Sequence, residues 1–131
     1  MKSDYTNSYR DLLIWQKGMD LVVEVYKLTG QFPVAERYGL SAQMRRAAIS
    51  IPSNIAEGRR RLGRKNYLHF LIMAYSSGAE LETQLEIAKR LALGRDISFS
   101  EADNLLLQLM KMLNKTTMSL GRNDNPNNQD T

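Results

Sequence analysis

The chain has 131 residues, with 18 Lys and Arg against 14 Asp and Glu, a formal net charge of +4 and one histidine. That length fits one domain able to bury a real core if its elements are long, and the composition is that of a globular protein, neither disordered nor fibrous. It contains no cysteine, which excludes disulfides, thiolate nucleophiles and cysteine metal sites. The N-terminal MKSDYTNSYRDLL has no apolar stretch before a small-residue cleavage site, and no apolar run reaches membrane-spanning length. The expectation is a cytoplasmic protein without a membrane partner.

Residues 1–10 are polar and lack periodicity, so they read as an N-terminal arm that Tyr5 and Tyr9 could pin to the body. The first helix is expected from Asp11 as N-cap to Thr29, with Gly30 as the stop and Phe32-Pro33 preventing continuation. At about 100° per residue, Gln16, Lys17, Asp20, Glu24 and Lys27 occupy a narrow polar arc. Leu12, Trp15, Met19, Val22 and Tyr26 make one apolar row, and Ile14, Leu21, Val25 and Leu28 a second beside it. Two adjacent stripes predict burial on two sides, once in the helix's own bundle and once against another copy; the alternative is a central helix in a compact monomer. On the first reading Ile14, Leu21 and Val25, with Leu68, Ile72 and Tyr75 further on, are the expected oligomer interface.

Residues 30 to 40 carry Gly and Pro punctuation and a short helical turn is expected around Glu36. Ser41 reads as N-cap of the second helix, whose core row is Leu40, Met44, Ala47, Ala48, Ile51 and Ile55. Pro52 inside that row predicts a bend rather than a break, and the helix should end between Gly58 and Gly63. The third helix, from Arg64 or Asn66 to Leu93, carries one continuous stripe from Tyr67 to Ala92. Gly78 in that stripe implies a close helix contact. Ser98 and Glu101 form a capping-box pattern for a fourth helix ending near Leu120, and residues 121–131 read as a disordered polar tail. With no strand candidate, residues 11–120 predict an all-α, antiparallel up-and-down four-helix bundle.

Few residues could carry chemistry. A ferritin-type metal site needs Glu-x-x-His pairs, and the lone His69 has Asn66 three residues before it. One histidine and no paired carboxylates on an apolar face leave no acid–base roles to assign, so no enzyme, cofactor or metal is expected. Asn54 and Glu57 share a side of the second helix; against a functional pair, the favoured reading is structural, with bonds to the connection or to a neighbouring helix. The clear signal is basic. Between Leu40 and Lys65 stand Arg45, Arg46, Arg59, Arg60, Arg61, Arg64 and Lys65 against Glu57, a local +6 within a chain of +4. One reading is non-specific phosphate binding to RNA or DNA; the other is a solvated helix end pairing with acids of a neighbouring subunit or an acidic protein.

Three stretches carry a family resemblance: DLLIWQKGMDLVVEVYKLT (11 to 29), FPVAERYGLSAQMRRAAISIPSNIAEGRRR (32 to 61) and YLHFLIMAYSSGAELETQLEIAKRLA (67 to 92). They resemble the bacterial four-helix-bundle family named for rRNA intervening-sequence proteins, which includes the accessory variability determinant protein of diversity-generating retroelements. The resemblance implies a small cytoplasmic antiparallel bundle forming a homopentameric ring, with no enzymatic activity. For the retroelement members it implies a basic surface engaging nucleic acid and a reverse transcriptase. The matching motif positions are Trp15, Gln16 and Lys17; Phe32, Pro33, Glu36, Tyr38 and Gly39; and Arg45, Arg46, Asn54, Glu57 and Gly58. Thr116-Thr117 departs from the family's more apolar pattern, which implies looser packing of the last turns.

Overall fold

The computed structural model describes residues 8–61, 63–94 and 96–124, residues 123 and 124 by backbone alone. Four helices make up most of the described chain: α1 (Leu13–Thr29), α2 (Leu40–Arg60), α3 (Arg64–Arg90) and α4 (Ser100–Asp124). Single 3-10 turns occur at Tyr9–Asp11 and at Val34–Glu36, the latter where a short turn is expected, and no strand occurs among the described residues. α1 packs on α2 and α4, α2 also on α3, and α3 also on α4, so each helix has two neighbours around one core. Leu21 and Val25 of α1, Met44, Ile51 and Ile55 of α2, Leu71, Leu81 and Leu85 of α3, and Leu109 and Leu113 of α4 are its fully buried members.

Of the two apolar rows on α1, the one through Ile14, Leu21, Val25 and Leu28 faces inwards. This corrects the interface expectation for Ile14, Leu21 and Val25, which are buried within the one chain and offer no surface to a second copy. Gly18 lies in that row and packs closely on Pro52 of α2: a Cβ there would stand 3.3 Å from Pro52 Cβ. The other row stays at the surface, with Met19 41% and Tyr26 42% exposed. Ile72 and Tyr75 of α3 are also exposed, and Leu68 is half-buried.

Three helix starts lie one or two residues from the sequence expectation. Asp11 lies in a 3-10 turn capped by Ser8, and α1 begins at Leu13 after the extended Leu12. α2 begins at Leu40, before Ser41, because the Glu36 carboxylate accepts from Leu40 N at 3.4 Å; Ser41 is buried instead. α4 begins at Ser100, with Phe99 O accepting from Asp103 N at 2.9 Å, and Ser98 Oγ bonds Ser100 alone, accepting from its N at 3.3 Å and sharing a hydrogen bond of 3.0 Å with its Oγ. The far end of α4 runs four residues past Leu120 to Asp124. The remaining tail, 125–131, and the arm residues 1–7 with Tyr5 lie outside the described residues.

α2 runs unbroken through Pro52. Just before it, Ser50 Oγ and Ser77 Oγ of α3 share a hydrogen bond of 2.8 Å, and Asn54 Nδ2 donates to Ser50 O at 2.8 Å. Gly78 is tolerated in α3, at a propensity cost of about 1 kcal/mol relative to Ala, because a Cβ there would collide with the Met110 thioether of α4. Thr116 and Thr117 turn their hydroxyls back onto Met112 O and Asn114 O of their own helix.

Candidate nucleic-acid interface

The junction of α2 and α3 is tight for two local reasons. A Cβ at Gly58 would lie 2.7 Å from Phe70 Cβ, so the glycine lets the last turn of α2 close on the first turns of α3. Gly63, at φ +97, holds a backbone conformation that costs other residues strain, and α3 starts immediately after it. Arg59, Arg60, Arg61, Arg64 and Lys65 are thereby gathered at one end of the molecule.

Each guanidinium of the α2 end lies near an aromatic ring. Arg59 lies 5.8 Å from the Tyr67 ring centroid, Arg60 5.5 Å from Tyr9, and Arg61 5.3 Å from Phe70. Such cation–π contacts orient the guanidinium groups against the rings. Arg61 also reaches back one turn to Glu57 Oε2, at 2.9 Å from its terminal nitrogen and 3.0 Å from Nε. Both partners of that pair are about half exposed, so its worth is a fraction of a kcal/mol. Burial pushes the Tyr67 phenol above its usual value of 10.0, with the Arg59 charge opposing the rise. A cleft of about 330 Å3 opens between Gly58, Arg59, Arg61, Gly63, Arg64, Tyr67 and Leu120 of α4.

A further cation joins this end that the sequence reading assigns only to a loose arm. Arg10 lies 5.6 Å from the Tyr9 ring and 5.9 Å from Trp15, and those two rings meet edge-on at 5.3 Å. Tyr9 therefore has Arg10 and Arg60 beside it, and Gln16 Nε2 secures the turn by donating to Arg10 O at 3.0 Å. The spacing of Tyr9, Arg10 and Trp15 is the signal that could have found it: a turn before a helix can fold an aromatic residue back on the first turn.

Arg45 and Arg46 are not part of this cluster. Along α2 they stand about 22 Å from Arg60 at 1.5 Å per residue. Arg45 is half-buried, donating from Nε to Thr29 Oγ1 at 2.8 Å, with its guanidinium 4.4 Å from the Tyr26 ring. Arg46 is exposed beside Ser50, Ser77 and Glu80. Asn54 and Glu57 bond within their own helix, to Ser50 and Arg61 respectively. His69 is exposed with its ring against Phe70, and no group of three His, Asp or Glu that could hold a metal occurs among the described residues. No described helix is long and apolar enough to cross a membrane. The basic end presents positive charge and forked donors, which is the chemistry of phosphate oxyanions.

A family model described as 23S rRNA-intervening sequence protein matches residues 10–115, a span that includes Arg10, α1 to α3 and most of α4. No curated protein matches the chain.

Proposed function

The chain belongs to the 23S rRNA-intervening sequence protein family, and from that premise we propose a non-catalytic cytoplasmic protein whose basic end binds RNA or DNA without sequence preference. In this reading the bundle is antiparallel and up-and-down, and copies assemble into a homopentameric ring. The observation that carries it is the α2–α3 junction, where five basic side chains stand against the single carboxylate of Glu57, itself taken by Arg61. Arg10 adds to the same end. Contacts to the phosphate backbone need only this charge and its donors, and a ring of copies multiplies the field. An accessory role to a reverse transcriptase rests on the resemblance to the retroelement members. A second reading, a scaffold for an acidic protein, draws on the Arg61–Glu57 pair, which shows a carboxylate satisfying one of these arginines.

Salt separates the two. Affinity for a short DNA duplex, measured over a series of salt concentrations, should fall with a log–log slope of roughly 0.9 per phosphate contacted. Arg60→Glu with Lys65→Glu changes two exposed cations, and should abolish duplex binding while light scattering finds the assembly mass unchanged. Absence of binding at low salt, or a complex indifferent to salt, would overturn nucleic-acid binding in favour of the scaffold.

A further inference from the structure

At the other end of α2 the chain encloses a cavity of about 200 Å3 between the end of α1, the connection that follows and the first turns of α2. Two of its lining side chains are arginines, Arg37 and Arg45, and no carboxylate lines it. Arg45 is fixed in place: Thr29 Oγ1 accepts from its Nε at 2.8 Å and donates onward to Val25 O at 2.8 Å, while the Tyr26 ring lies beside the guanidinium. These contacts use one edge and one face of the group. Neither Arg45 nor Arg37 has an ion-pair partner among the described residues.

Ser41 adds a hydroxyl to the same cavity. It is only 3% exposed, it lines the same cavity, and its hydroxyl makes no hydrogen bond among the described residues. The hydroxyl is not sealed in the core and is reached from the cavity. The nearest acid in sequence, Glu36, does not line the cavity and is engaged at the start of α2 through Leu40 N. Phe32 and Pro33 add an apolar wall. The volume is several times the share of about 30 Å3 that one water occupies in the liquid, which leaves room for a phosphate group.

We propose that this cavity binds a phosphate-class oxyanion, as inorganic phosphate or as a small phosphate monoester, held by Arg37, Arg45 and the Ser41 hydroxyl. Two guanidinium groups match the charge of about −1.5 to −2 that a phosphate monoester carries at neutral pH, and their forked donors match its oxygens. The site is separate from the basic end and does not depend on nucleic-acid binding there.

The test is an NMR titration of the isotope-labelled full chain with inorganic phosphate and, separately, glycerol phosphate, with ionic strength held constant by chloride. The Arg45 Nε–H and Ser41 amide signals should shift and saturate in the millimolar range or below. Arg37→Gln, an exposed position whose change leaves the fold intact, should weaken binding by at least about tenfold. Ser41→Ala should weaken it severalfold, and Arg60→Glu with Lys65→Glu should leave it unchanged. Stronger binding of glycerol phosphate would identify the monoester as the ligand, and equal binding the free ion; either supports the site. Shifts that never saturate, saturation centred on residues 59 to 65, or undiminished affinity in Arg37→Gln would overturn it.

Discussion

Tyr67 shows what one residue contributes at the basic end. Its ring supports Arg59, and burial favours the neutral phenol in the folded state, raising its pKa above the unfolded value near 10. Its contribution to stability is therefore complete below about pH 10 and is lost as pH climbs through the interval up to the folded-state value. Tyr67→Phe removes the titration, so chemical denaturation across the alkaline range should show a shallower loss of stability than in the wild type; parallel curves would exclude Tyr67 as the source. At this scale the sequence is an uneven guide. Charge is legible in the letters, and Arg60, Lys65 and Arg46 are exposed cations, whereas partners are not legible. Arg45 reads like its neighbour Arg46, yet one turns towards Thr29 and Tyr26 and the other faces solvent. That difference depends on where α1 ends relative to α2, which no local pattern encodes.

Among the elements, four helices and their stripes follow from spacings of three and four, because periodic burial has no other simple geometry. What the periodicity leaves open is which of two apolar rows on α1 is inner. Bulk favours the row of Trp15 and Tyr26, but the row that holds Gly18, packed close to Pro52, is the buried one. Helix starts were legible only to within a residue or two, since Glu36 replaced Ser41 as the partner of the first α2 donor. The glycines give a matched prediction. At Gly58 an added methyl meets Phe70 Cβ at 2.7 Å, too close to the backbone for a rotamer change to relieve, so Gly58→Ala should destabilise by about 1–3 kcal/mol. At Gly121, in α4, nothing lies within 4 Å, and Gly121→Ala should stabilise by up to about 1 kcal/mol through helix propensity alone. Urea midpoints for the two variants should move in opposite directions; a neutral Gly58→Ala would show that the α2–α3 junction is looser than drawn.

For the whole molecule, the outward apolar surface bears on assembly. Tyr9, Trp15, Met19 and Val22 line a shallow groove of about 260 Å3 with Ile49, Pro52 and Ala56 of α2. Ile72 and Tyr75, 50% and 37% exposed, form a second apolar surface on α3. Two different patches, rather than one patch facing its own copy, are what a head-to-tail ring requires, because each subunit then offers one to each neighbour. Met19 and Ile72 lie outside the buried core, so changing them separates assembly from folding. Met19→Lys and Ile72→Lys should each lower the mass found by light scattering while circular dichroism keeps its helical signal. Val25→Lys, at a fully buried position, should instead lose the helical signal itself. If the wild type is already a monomer, the outer row of α1 is simply exposed, and the field at the basic end is that of one chain. The salt slope for duplex binding would then reflect no more than the phosphates one basic end can reach. A ring would give a steeper slope, and Met19→Lys would bring it down to the single-chain value. Mass and slope should therefore fall together, and a fall in mass with an unchanged slope would show that one copy suffices to hold the duplex.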